Sequence, residues 1–122
     1  TPKYLITDGN KIVQENKINA LNIEQYFSFC FISRRYGIHN EKPSPYCFKK
    51  ICELEETTPE NVVYIGDNPA KDFIGIKPLG YKTIRILRGN HRNVLKTPEY
   101  EAHIQINSLT ELTPNFLEKL FV

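Results

Sequence analysis

The chain has 122 residues, 40% of them hydrophobic, which is enough apolar material for one domain with a modest core and excludes a disordered chain. A net charge of +2 makes no electrostatic case for nucleic acid, and no apolar run approaches the ~18 residues of a membrane-spanning helix. Three cysteines at irregular spacing, Cys30, Cys47 and Cys52, suit neither a disulfide framework nor a zinc site, so a reducing cytoplasm is the expected home.

Lys3 to Thr7 reads as a first buried strand, closed by the turn Asp8-Gly9-Asn10. From Lys11 to Leu21, Ile12, Val13, Ile18 and Leu21 recur at helical spacing, and Asn10 or Asp8 is placed to cap the helix. Phe29 to Ile32 is a second strand ending at Ser33. In the loop that follows, Pro43 holds Lys42 in an extended conformation, and Ser44-Pro45 opens a helix to about Glu55. Phe48, Ile51, Cys52 and Glu55 lie on its inner stripe, widened by Cys47 and Leu54. Val62 to Ile65 is a third strand ended by Gly66, and Pro69 to about Leu79 is predicted as a helix, capped by Asn68 and closed by Gly80. Thr83 to Leu87 is a fourth strand, Gly89 to Pro98 a polar loop and His103 to Ile106 a short fifth strand. Thr113-Pro114 starts a last helix that docks through Phe116, Leu117, Leu120 and Phe121.

Strands alternating with helices imply an α/β, Rossmann-like fold: a parallel sheet with helices on both faces, in three layers. The polar turns then collect at the carboxyl ends of the strands, where ligands bind in such sheets. Thr7-Asp8-Gly9-Asn10, Ser33, Lys42 and the stretch Asp67 to Asp72 all fall there. Asp67 sits on the turn after its strand and Asp72 one helical turn beyond Asn68, so the two carboxylates can converge on a hard cation such as Mg²⁺. The competing reading makes both acids helix-start residues stabilised by the macrodipole. A Thr7 hydroxyl and turn N–H groups can donate to phosphoryl oxygens, and Lys42 can neutralise them. His39, His91 and His103 lack metal-ligand spacing, and Tyr36 and Tyr46 read as packing residues. Lys82 to Lys96, with Arg85, Arg88 and Arg92 and no acid, reads as a solvated basic face in preference to a nucleic-acid patch.

These motifs resemble those of the haloacid dehalogenase (HAD) superfamily, mostly Mg²⁺-dependent phosphatases and phosphotransferases on a Rossmann-like fold. Thr7 in Leu-Ile-Thr-Asp-Gly-Asn resembles the second motif, whose Thr or Ser hydrogen-bonds the transferring phosphoryl group. Lys42 in Glu-Lys-Pro-Ser-Pro resembles the third, the Lys that steadies the charge of nucleophile and phosphate. Gly66-Asp67-Asn68-Pro69-Ala70-Lys71-Asp72 resembles the fourth, which implies Mg²⁺ on Asp67, with Asp72 supporting it directly or through water. The resemblance runs from about Tyr4 to Leu87 and is to the phosphatase-like branch with a helical cap.

One family motif has no counterpart. The Asp-x-Asp that supplies the nucleophile is missing, since the only aspartates are Asp8, Asp67 and Asp72. The chain, which begins Thr-Pro-Lys, is therefore expected to be the C-terminal part of one core domain over residues 1–122, without its N-terminal strand and cap. That missing strand would lie between the strands ending at Thr7 and Gly66, leaving a gap or forcing them to pair. The resemblance implies a Mg²⁺-dependent phosphomonoester hydrolase in the parent protein, acting on a small phosphorylated substrate, with Thr7 and Lys42 catalytic and Thr7, Asp8, Gly9 and Lys42 binding phosphate. The alternative is a non-catalytic HAD-like module, appended to a larger enzyme such as an ATP-grasp ligase, that binds a phosphorylated ligand or partner. No nucleic-acid or membrane partner is expected, and a dimer or an upstream segment is expected to complete the sheet.

Overall fold

The computed structural model describes residues Thr1–Phe121; Val122, the last residue of the expected domain, lies outside them. Backbone contacts divide the chain into two compact units, one of Thr1–Ile51 and a second that begins at Cys52.

In the first unit the apolar runs Tyr4–Thr7 (β1) and Phe29–Ile32 (β2) pair in parallel, with Tyr4 opposite Phe29 and Thr7 opposite Ile32. This register ends both strands at one level, so Thr7 and Ser33 emerge side by side. The crossover between them is the helix Lys11–Leu21 (α1). Asn10 caps it: its Oδ1 accepts the N–H groups of Ile12 and Val13 at 3.0 and 3.1 Å. The other predicted cap, Asp8, is engaged elsewhere. Of the α1 residues at apolar spacing only Ile18 is buried, while Ile12, Val13 and Leu21 stay exposed. Ile18 belongs to the buried set with Ile6, Phe31 and Ile32. Phe29 meets Phe31 edge-on at 4.8 Å, and Tyr36 and Tyr46 approach to 5.3 Å between ring centres, as packing residues do.

The helix Tyr46–Glu55 (α2) carries the chain from the first unit into the second. The Ser44 hydroxyl accepts the Tyr46 N–H at 3.2 Å. Cys47, Phe48 and Ile51 are buried, but Leu54 is 61% exposed, so the inner stripe is narrower than the spacing predicts.

The second unit holds Val63–Gly66 (β3), Lys82–Ile86 (β4) and Ile104–Ile106 (β5), paired in parallel in the order β3-β4-β5. Ile84, Ile86, Ile106 and Leu120 form its core, with Val63, Ile65 and Phe116 packed against them. β4 is buried on both faces, from Thr83 through Ile86, as the central strand of a parallel sheet should be. The helix Pro114–Glu118 (α3) is capped by Thr113, whose Oγ1 accepts the Phe116 N–H at 3.1 Å. The predicted helix over Pro69 to Leu79 does not form. Two separate turns replace it, closed by Asp72 N–H to Asn68 O at 2.9 Å and Lys77 N–H to Phe73 O at 2.9 Å, followed by a short 3₁₀ segment Lys77–Leu79. Gly75 lowers helix propensity there and Pro78 has no N–H to give. Phe73 and Ile76 are buried all the same, so their three-residue spacing marks an inward face without a continuous helix.

Among the described residues β1 pairs with β2 and β3 with β4, so the strands ending at Thr7 and Gly66 do not pair with each other. No helix is long and apolar enough to cross a membrane among the described residues.

Candidate functional site

The predicted phosphate-binding residues come together where β1 and β2 end. The Thr7 hydroxyl donates to Gln14 Oε1 at 3.0 Å. Asp8 accepts on Oδ1 from the fully buried Ser33 hydroxyl at 2.7 Å and from the Lys42 backbone N–H at 3.2 Å. One carboxylate thereby ties the end of β1, the end of β2 and the Lys42 segment, whose Lys42–Pro43 peptide is cis. Bonds to a charged acceptor are the stronger class, so Asp8 acts here as a brace. Its carboxylate repels an anion, and what it can offer a phosphate is backbone. Gly9, at φ +103°, lends its N–H to Glu41 Oε2 at 3.2 Å, while Glu41 Oε1 pairs with Arg34 Nε at 2.5 Å. Neither Gln14 nor Glu41 is legible as a site residue in the sequence, because Gln14 is brought to Thr7 by the first turn of α1 and Glu41 to Gly9 by the path of the loop before Lys42. Beside them burial pushes the Cys47 thiol up to about 11, the Asp8 charge adds to the rise, and Lys42 opposes it. This thiol is not a nucleophile near neutral pH.

The predicted metal ligands come together at the end of β3. Asp72 is buried and its Oδ2 accepts the N–H groups of Asp67 and Asn68 at 3.1 and 2.9 Å. Asn68 Oδ1 in turn accepts the Ala70 N–H at 3.0 Å, and the turn closes on itself. Gly66 makes this fit possible. A Cβ at that position would lie 2.5 Å from Asp72 Oδ2 and 2.8 Å from its Cγ. No helix follows, so the macrodipole reading of this pair falls. The two acids have different work: Asp72 braces the turn, while the half-buried Asp67 carboxylate makes no hydrogen bond or ion pair among the described residues. A hard cation held by one or two carboxylates, with water and phosphate oxygens completing its shell, fits this donor set. Among the described residues no group of three or more His, Cys, Asp or Glu gathers that could hold a metal by itself.

A loop overhangs this turn. Arg85, 1% exposed, reaches from β4 to Glu101 Oε1 at 2.7 Å and to the carbonyls of His91 and Val94 at 2.9 and 2.7 Å. Lys77 Nζ holds the far end through the carbonyls of Pro98 and Glu101 at 3.1 and 3.0 Å. Gly89, at φ +69°, faces the candidate metal ligand: a Cβ there would stand 3.9 Å from Asp67 Oδ2. The basic run is therefore not one solvated face, since Arg85 is internal. Arg88 and Arg92 are exposed, and neither guanidinium has a hydrogen-bond or ion-pair partner among the described residues. Further along the loop Leu95, Lys96, Thr97 and Tyr100 line a concavity of about 460 Å³.

The chain is 35% identical over 117 residues to the glyceraldehyde 3-phosphate phosphatase of Pyrococcus furiosus, an alignment that covers 95% of this chain and 46% of that protein. It is 29% identical over 108 residues to the phosphoserine phosphatase of Thermus thermophilus, covering 88% and 41%. Its backbone matches the magnesium-bound HAD-hydrolase YfnB of Bacillus subtilis with a TM-score of 0.77 at 23% identity, over 94% of this chain and 49% of that one. The chain thus spans about half the length of the curated relatives it matches. Residues 4–86 match the family model of haloacid dehalogenase-like hydrolases, and with its parallel α/β architecture and its motif residues at strand ends, the chain belongs to that family.

Proposed function

We propose that this chain is the phosphate- and metal-binding part of a HAD-type phosphomonoester hydrolase acting on a small phosphorylated substrate in the cytoplasm. The observation that carries the proposal is the contrast at the end of β3, where Asp72 is spent on bracing the turn while the Asp67 carboxylate makes no hydrogen bond or ion pair among the described residues. In this reading residues 1–122 belong to one core domain. Thr7 donates its hydroxyl to a phosphoryl oxygen, the Lys42 ammonium offsets the phosphate charge, and the backbone around Asp8 and Gly9 adds N–H donors. For Gly9 this means exchanging Glu41 for the ligand. Asp67 would hold Mg²⁺, with Asp72 behind it, and the metal when bound would supply positive charge against the phosphoryl oxygens. The nucleophile comes from an upstream Asp-x-Asp, because Asp8 and Asp72 are committed to the bonds described and Asp67 is the metal ligand.

The same commitment of the three aspartates favours a second reading, a non-catalytic module that binds a phosphorylated ligand. An assay with p-nitrophenyl phosphate separates the two. This chain alone should give no turnover, because removing a nucleophile eliminates the covalent path that the other groups assist. A form extended upstream by the ~100 residues a strand and cap need should turn over, and Lys42→Ala or Asp67→Asn should abolish it. No turnover by the extended form would leave the binding module standing, and turnover by the short chain at a comparable rate would place the nucleophile within it.

A further inference from the structure

We propose that the turn Arg88–Arg92 is a subsite for a second anionic group on the ligand, which makes the ligand class a phosphomonoester that also carries a carboxylate or another anion. The proposal rests on the reading of Asp67 as the phosphate-side metal ligand and adds what that reading leaves open, namely which esters fit. Three observations meet here. The first is position: Gly89 turns its bare face to Asp67 Oδ2, Arg88 immediately precedes it, and the Arg92 N–H closes the turn on Gly89 O at 3.3 Å. Two cationic residues thus stand on the turn that brings Gly89 up to the candidate metal ligand. The second is charge. No acid occurs from Lys82 to Lys96, and the exposed Arg88 and Arg92 have no carboxylate partner among the described residues. An arginine fork without an internal partner is suited to a planar carboxylate or a phosphate. The third is rigidity. Arg85 and Lys77 hold the loop by four backbone carbonyls, so the two arginines stand on a fixed turn and a ligand has less ordering entropy to offset.

A pair of ligands differing in one group tests this: 3-phosphoglycerate and glycerol 3-phosphate, titrated with Mg²⁺ present and followed by amide NMR on this chain. The carboxylated ester should bind about tenfold more tightly, the scale of one charge-assisted hydrogen bond at an exposed site. Its additional shifts should centre on residues 88–92. Arg88→Ala/Arg92→Ala should equalise the two affinities and leave glycerol 3-phosphate unchanged. Lys96→Ala, which removes a similar charge from the same loop, should preserve the preference, and Arg88→Lys/Arg92→Lys should retain part of it. Equal affinities for the two esters, no binding of either, or an equal loss in Lys96→Ala would overturn the subsite. Tighter binding of an RNA oligonucleotide with shifts at the same two arginines would overturn it in favour of a nucleic-acid surface. The phosphatase reading is judged separately, by p-nitrophenyl phosphate turnover in the extended form, because that ester has no second anion and its rate should not respond to the double variant.

Discussion

At Gly66 a side chain as small as alanine would bring a carbon within 2.5 Å of Asp72 Oδ2 and within 2.9 Å of its Cβ. The Asp72 side chain cannot absorb that by bending, because it is buried and its oxygen is fixed by two N–H donors. Gly66→Ala should therefore expel the carboxylate and cost about 3 kcal/mol, the scale of two lost hydrogen bonds to a charged group, read as a drop in the urea midpoint. The two aspartates should also separate by stability alone. Asp72→Ala leaves two backbone donors without their acceptor and should cost at least about 2 kcal/mol, whereas Asp67→Asn disturbs no internal bond and should stay within about 0.5 kcal/mol of the parent. Equal effects from the two substitutions would contradict the division between brace and ligand. The sequence pattern of a Gly, an Asp and a second Asp five residues on is enough to mark the place. It cannot assign the roles, because those depend on which carboxylate folds back onto the backbone.

Among the elements, β4 and β5 with the loop between them depend most on polar groups. Arg85 lies in a strand buried on both faces, where either parity of side chain points inward, and that alone puts a guanidinium inside. Read only as part of a basic run, it looks like surface; the rule for doubly covered strands would have marked it. Replacing one partner of a buried ion pair leaves the other uncompensated, so Arg85→Met should cost about 3 kcal/mol and release the His91–Glu101 segment to fast hydrogen exchange. The residue just before β5 adds a pH dependence. His103 Nδ1 accepts the Thr83 N–H at 3.1 Å and lies 2.8 Å from its hydroxyl. Burial, then the Lys77 and Lys82 charges, hold its imidazole below the ordinary range. The folded chain thus binds fewer protons than the unfolded chain as pH falls through about 6.5. The stability of this contact is complete above that pH and declines as the pH drops toward the lower folded value. The urea midpoint should fall between pH 7.5 and pH 5, and His103→Gln should flatten that slope.

For the molecule as a whole, the parallel α/β reading rests on apolar runs that hold up: β1, β2 and β3 start or end within a residue of where the pattern puts them, because short β-branched and aromatic runs between polar turns have few other ways to be buried. The stretch after Asp67 misleads, since Pro69 and the inward spacing of Phe73 and Ile76 mimic a helix that Gly75 and Pro78 do not support. With one carboxylate open and one committed, this chain offers Mg²⁺ too few oxygens for its octahedral shell, so calorimetry should find weak binding that Asp67→Asn removes; micromolar affinity that survives the substitution would contradict the assignment. The loop over Asp67 has one more consequence. Its tethers to Arg85 and Lys77 end mostly on main-chain oxygens, at His91, Val94, Pro98 and Glu101. Every amino acid carries such an oxygen, so apart from Gly89 at its positive φ and Glu101 in its ion pair the shape of the loop depends little on its lettering. Positions 88, 92, 95 and 96 can then diverge between paralogues, or be randomised in a library, while the frame beneath them stays put, and this is where a lineage could change its choice of ester without refolding anything.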